Sequence, residues 1–176
     1  MSMRSLAFLA AGLALAIPMT SAAQRGPGLG KPASAATVAA ADLSIAPNGA
    51  GLPPGSGTVA RGAEVYGQKC QSCHGASGAG GSFDRLTGGI GTLAGADRIK
   101  TVASFWPHAT TLFDYVRRAM PPQAPQSLSD EEVYAVVAYL LSIDGIVPKD
   151  AVMDARTLPQ VRMPNREGFV RRDPQP

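Results

Sequence analysis

The sequence predicts an all-α domain with long loops, and three observations carry that prediction. Apolar residues recur with a helical period in three segments between residues 58 and 147. No segment alternates polar and apolar side chains as a half-buried strand does. Glycine and proline supply 20 and 15 of the 176 residues, so much of the remaining chain is loop or extended linker.

The first predicted helix covers residues 59–71, where Val59, Ala63, Tyr66 and Cys70 fall at helical spacing. The second covers 111–119, with Thr111 as its cap and Leu112, Val116 and Ala119 on one face. Pro107 precedes it and Pro121-Pro122 stop it. The third starts at Ser129. Asp130, Glu131 and Glu132 follow as a capping box, with carboxylates at the positive end of the helix dipole. Its apolar face is Val133, Val136, Val137, Leu140 and Leu141, and Gly145 lies just past its end. A glycine-rich loop, 75–95, and one turn near 96–101 separate the first two helices.

Size and charge exclude whole classes of function. At roughly 150 residues per domain, the chain holds one domain, not two catalytic ones. A net charge of +3 with 16% charged residues forms no dense basic stripe, so nucleic-acid binding is not expected. Two cysteines cannot build a disulfide scaffold.

The chain begins with an address. Arg4 precedes the apolar run 6–17, and Ser21-Ala22-Ala23 follows Pro18, which reads as a secretory signal peptide over residues 1–23. The run is shorter than the ~20 residues needed to span a bilayer, so no stable membrane span is expected after cleavage. Without a twin-arginine pair or a lipid-bearing cysteine, export of the unfolded chain to the periplasm fits best. Residues 24–57 are an Ala/Gly/Pro-rich extended segment, 58–147 the packed domain and 148–176 an extended tail. The tail's prolines separate Leu158, Met163 and Phe169. Such a tail is expected either to wrap its own domain or, through residues 158–169, to clamp a partner subunit.

Cys70-Gln71-Ser72-Cys73-His74 carries the chemistry. A C-x-x-C-H pentapeptide is the attachment site of a c-type haem: two thiols one turn apart add to the vinyl groups, and the adjacent imidazole supplies an iron ligand. The competing readings fit less well. A thioredoxin-like redox pair needs a βαβ setting. A zinc site needs a fourth ligand at workable spacing, which His108 does not offer. A structural disulfide leaves the histidine unexplained. One covalent haem c, bound through Cys70 and Cys73 with His74 as metal ligand, is therefore expected.

The second axial ligand is expected downstream. Met120 leads, because it follows the second helix directly and Pro121-Pro122 stiffen the chain behind it. His108, Met153, Met163 and an open position are the alternatives, and Met120 as ordinary core filling is the plainer reading.

These features resemble class I cytochromes c, through Gly62, Tyr66, the motif 70–74, Met120-Pro121-Pro122 and the last helix with Tyr139-Leu140. The resemblance implies a class I cytochrome c fold, with three main helices and long loops around one haem and extended terminal segments. It also implies that the first and last helices cross at Gly62 and Tyr139. Leu52-Pro53-Pro54-Gly55-Ser56-Gly57, residues 101–120, Ala124-Pro125-Gln126-Ser127-Leu128 and Met163-Pro164-Asn165-Arg166 are more narrowly similar to the SoxD-like cytochrome subunit of Sox-type sulfur (sulfane) dehydrogenases. Some members of that family carry two haems; the single C-x-x-C-H here implies a mono-haem form. Similar cytochromes also serve sulfite and other molybdenum or quinoprotein dehydrogenases.

The resemblance implies one-electron transfer with no catalytic site of the chain's own. The donor would be a molybdenum-cofactor dehydrogenase subunit, and the acceptor a downstream cytochrome or oxidase. Trp106 would donate its N–H to a haem propionate, or else be a half-buried core tryptophan. Arg117 and Arg118 would meet propionates or a partner's acidic rim, or simply complement the helix dipole. A free cytochrome c carrier between another dehydrogenase and a terminal oxidase, and an open-site haem enzyme or sensor, are the alternative functions.

Overall fold

The computed structural model describes residues 29–170. The signal peptide expected over 1–23 lies outside the described residues, as do 24–28 and 171–176 of the two terminal segments. The described chain runs α1 (Ala35–Ala41), β1 (Ser56–Thr58), α2 (Val59–Lys69), α3 (Gln71–His74), α4 (Val102–Phe105), α5 (Ala109–Ala119), α6 (Asp130–Ile143) and β2 (Val152–Asp154). Short 3-10 turns follow α3 and β2. The mostly helical fold expected from the periodicity is present.

Helix α2 begins where Thr58 accepts a hydrogen bond from the Arg61 N–H, and it buries Val59, Gly62, Val65 and Tyr66 on one face. Helix α6 is the core of the domain. Its Ser129–Glu132 capping box forms in both directions, and Val133, Val137 and Leu141 are fully buried. Gly145 follows with a positive φ of 69°, a conformation that closes a helix without strain on a glycine. Helix α5 starts two residues earlier than the predicted cap, because Ala109 is also buried and extends the apolar face of Leu112, Phe113 and Val116. His108 occupies the cap position without a side-chain capping bond, while the Thr110 hydroxyl donates to the carbonyl of Pro47.

Helices α2 and α6 cross in close contact, as the resemblance implied. Gly62 lies against Ala135 and Tyr139, and the Tyr66 and Tyr139 rings are 5.3 Å apart. Lys69 bonds both carboxylate oxygens of Glu132 at 3.0 Å, joining the far end of α2 to the first turn of α6. Phe113 of α5 packs on Tyr134 of α6 at 4.4 Å between ring centres.

Two expectations need correction. Strands do form: β1 and β2 pair antiparallel, with Gly57 opposite Met153. Each is three residues long, too short to show a period in the sequence. The N-terminal segment is also not wholly extended, since α1 forms within it, capped by Ser34 and with no buried residue. Small apolar residues all round leave no amphipathic face to recognise. Beyond α1 the segment lies over the core. Ile45 donates its N–H to Asp114, and the Tyr134 hydroxyl donates to the Pro53 carbonyl at 2.8 Å.

The described part of the tail, 148–170, lies on its own domain. Leu158 and Met163 are buried in the core, Met153 nearly so, and Val59 donates its N–H to the Ala151 carbonyl.

Candidate functional site

The motif 70–74 forms a single helical turn. His74 and Cys73 both donate their N–H groups to the Cys70 carbonyl, at 3.0 and 3.1 Å, which draws Cys70, Cys73 and His74 together at the end of α2. Gly75 then turns the chain with φ of 75°. A β-carbon there would come within 2.9 Å of the Gly80 carbonyl carbon, so only glycine suits this approach. The glycine-rich loop folds back on the motif: Phe83 donates its N–H to the Cys73 carbonyl, and Leu86 donates to Gly78.

This return path sets the state of His74. Its Nδ1 lies 3.0 Å from the carbonyl oxygen of Asp84, which can only accept, so Nδ1 carries a proton and Nε2 is the nitrogen left for a ligand. The Phe83 ring packs against the imidazole at 6.0 Å. Tyr66 braces the turn from below, its hydroxyl donating to the Gly75 carbonyl, and burial pushes its pKa up to about 12.

His74, Cys70 and Cys73 open onto a cavity of about 530 Å³, within the size range of cofactor sites. Its walls are chiefly apolar: Leu86, Val102, Leu112, Val116, Val136 and Leu140. Met120, the C-cap of α5, also lines it, with Pro121 and Pro122 behind. Trp106 forms part of another wall and meets Tyr115 edge-on at 5.6 Å. His74 and Met120 thus reach one cavity from two different helices, together with both cysteines.

The remaining candidates are elsewhere. His108, Met153 and Met163 do not line the cavity; the two methionines are core residues. Arg117 and Arg118 are engaged by carboxylates, Arg117 with Asp130 at 2.9 Å and Arg118 with Asp114 one turn away. The cations that do line the cavity are Lys69, Arg85 and Lys100, which sequence reasoning did not single out. They sit at the motif's edge and on the two flanks of an aperiodic loop, where no pattern marks them.

The thiol chemistry speaks against a disulfide or a redox-active pair at the motif. Cys70 and Cys73 are unbridged. Burial pushes the Cys70 thiol up to about 11, whereas a redox-active pair needs it lowered. An apolar slot with two unbridged cysteines and an imidazole on its wall suits a flat hydrophobic macrocycle.

Residues 57–140 match the family described as cytochrome c oxidase, cbb3-type, subunit III. A chain in the crystal structure of the sulfane dehydrogenase SoxCD from Paracoccus pantotrophus aligns at 41% identity with a TM-score of 0.77, over 84% of this chain and 73% of that one. The chain is a class I c-type cytochrome of the SoxD-like family. No curated protein matches the sequence. Membership makes the cytochrome an electron-transfer domain and implies haem c as its cofactor. Among the described residues, no helix is long and apolar enough to cross a membrane.

Proposed function

We propose that this cytochrome is a periplasmic one-electron carrier with a single haem c, joined covalently through Cys70 and Cys73 and ligated by His74 and Met120. In this reading it is the cytochrome subunit that accepts electrons from a molybdenum-cofactor dehydrogenase acting on a sulfur compound. One observation carries it: His74 and Met120 line the same apolar cavity as both cysteines.

Haem, when bound, supplies reversible one-electron chemistry at iron. The chain's residues do the rest. The backbone carbonyl of Asp84 accepts a hydrogen bond from His74 Nδ1–H and so fixes the ring's aim. Met120 offers a neutral thioether held at a helix end by two prolines, a ligand that favours a high potential. The walls formed by Leu112, Val116, Val136 and Leu140 exclude water and keep the local dielectric low. With His74 and Met120 both holding the group, no place would be left for a substrate, which suits a carrier. Trp106 lines the same cavity, and its N–H would be the donor for a propionate.

The partner assignment is supported by the 41% identity to a chain of SoxCD, itself a sulfane dehydrogenase. The signal-peptide reading of residues 1–23 supports the periplasm. Co-expression with haem-attachment machinery and the neighbouring molybdenum subunit tests both parts. A mass increase of one haem, a sulfur-to-iron band in the oxidised spectrum and reduction by the dehydrogenase with a sulfur substrate are expected. Strong carbon monoxide binding by the native reduced protein would indicate an open-site haem protein instead. Normal haem without association with the subunit would indicate a free carrier.

A further inference from the structure

Trp106 reaches the cavity from the short connection between α4 and α5. It is the C-cap of the four-residue helix α4, and the loop continues through Pro107 to His108, whose buried Nδ1 has no hydrogen-bond partner. Beside the Thr111 N–H bond to the His108 carbonyl and the edge contact of Trp106 with Tyr115, the tail adds a restraint of its own. Asn165 Nδ2 donates to the carbonyl oxygen of Phe105, the residue before Trp106, at 2.7 Å. Met163, two residues earlier, is 1% exposed and anchors the tail there, and the Phe169 ring meets the Phe105 ring edge-on at 5.3 Å.

Gly168 makes this arrangement possible. A β-carbon at 168 would fall within 2.7 Å of Asn165 Cγ, so the carboxamide occupies space that only glycine leaves free. The Gly168 N–H also donates to the Asn165 carbonyl, closing the turn around that side chain.

We infer that Asn165 is a positioning residue for the haem cavity: through Phe105 it holds the Trp106 wall closed, and the C-terminal tail thereby sets the polarity around the haem. The inference deepens the proposed function and rests on the cavity being the haem site. Without the carboxamide donor, the 105–108 loop opens more often, water reaches the cavity, and the reduction potential falls.

The test uses the full-length holoprotein and the variants Asn165→Ala, Asn165→Asp and Gly168→Ala. Asn165→Asp keeps the shape but replaces the donor with an acceptor. Gly168→Ala displaces the native carboxamide and leaves Met163 untouched. Hydrogen–deuterium exchange of the peptide spanning 105–108 should accelerate about five-fold in all three, the weight of one ordinary hydrogen bond. Exchange in α6 should stay at the wild-type rate, and the potential should fall. Unchanged exchange at 105–108, or faster exchange spread equally into α6, overturns the inference. The exchange measurement does not depend on iron ligation, so failure of the haem reading would appear separately, as wild-type protein lacking haem or its sulfur-to-iron band.

Discussion

Gly62 and Ala135 touch backbone to backbone where α2 crosses α6: a β-carbon at 62 would lie 2.5 Å from the Ala135 carbonyl carbon and 2.7 Å from Tyr139 Cβ. Neither neighbour can yield easily, because Ala135 is mid-helix and fully buried. Gly62→Ala should therefore cost about 3 kcal/mol, the upper part of the range for overpacking. Denaturant unfolding of the holoprotein reads this directly. Because α2 leads into the 70–74 turn, haem yield should fall as well.

The four methionine and histidine candidates for the second axial position separate by location. Met120→Ala should abolish the sulfur-to-iron band of the oxidised protein, lower the potential and admit carbon monoxide. Met153→Ala and Met163→Ala should keep the band but destabilise by about 2–5 kcal/mol, since both side chains are buried in the core. His108→Ala should leave the band in place. A band lost with either tail methionine would remove Met120 from the ligand set.

Where the sequence could be read, a local signal coincided with a packed face. The Ser129–Glu132 box and the apolar positions of α6 act on the same few turns, so propensity and burial agree. The 70–74 motif is likewise legible because its chemistry lies within one helical turn. The cavity is different. Phe83 and Leu86 come to it only because backbone bonds to Cys73 and Gly78 fold the loop back, and such bonds leave no trace in side-chain pattern. The β1–β2 pair and the tail's burial are long-range too. Leu158 and Met163 are isolated apolar residues in a proline-spaced segment, and their burial depends on a surface built by other elements.

Alkaline pH should weaken the fold through Tyr134. Its ring is fully buried, its hydroxyl donates to Pro53, and burial pushes its pKa from 10.0 up to about 12. A raised phenol pKa means the folded state holds the proton more tightly than the unfolded state. Stability is therefore intact below pH 10 and declines between pH 10 and 12. Tyr134→Phe should be less stable by about 1 kcal/mol at neutral pH, having lost the hydrogen bond. That gap should close as pH rises toward 12. A gap that stays constant in urea unfolding across this range would show that Tyr134 does not contribute.

The tail offers the clearest contest between two expectations, wrapping its own domain or clamping a partner. Cutting after Val147 removes β2, the strand partner of β1, and with it the Ala151 carbonyl that accepts from Val59 at the start of α2. It also removes Met153, Leu158 and Met163 from the core. Each large apolar side chain contributes about 1.5–3 kcal/mol by burial. Losing three of them would consume much of the 5–15 kcal/mol that typically separates folded from unfolded domains. The truncated chain should therefore mature with little haem and unfold at much lower denaturant than the full chain. Leu158→Ala alone should cost about 2–5 kcal/mol, placing the effect in packing within this domain. If the truncated protein instead kept its haem and its unfolding midpoint but no longer co-purified with the dehydrogenase subunit, the tail would be a clamp. Phe169 and Val170, which are exposed, would then be the residues to change next.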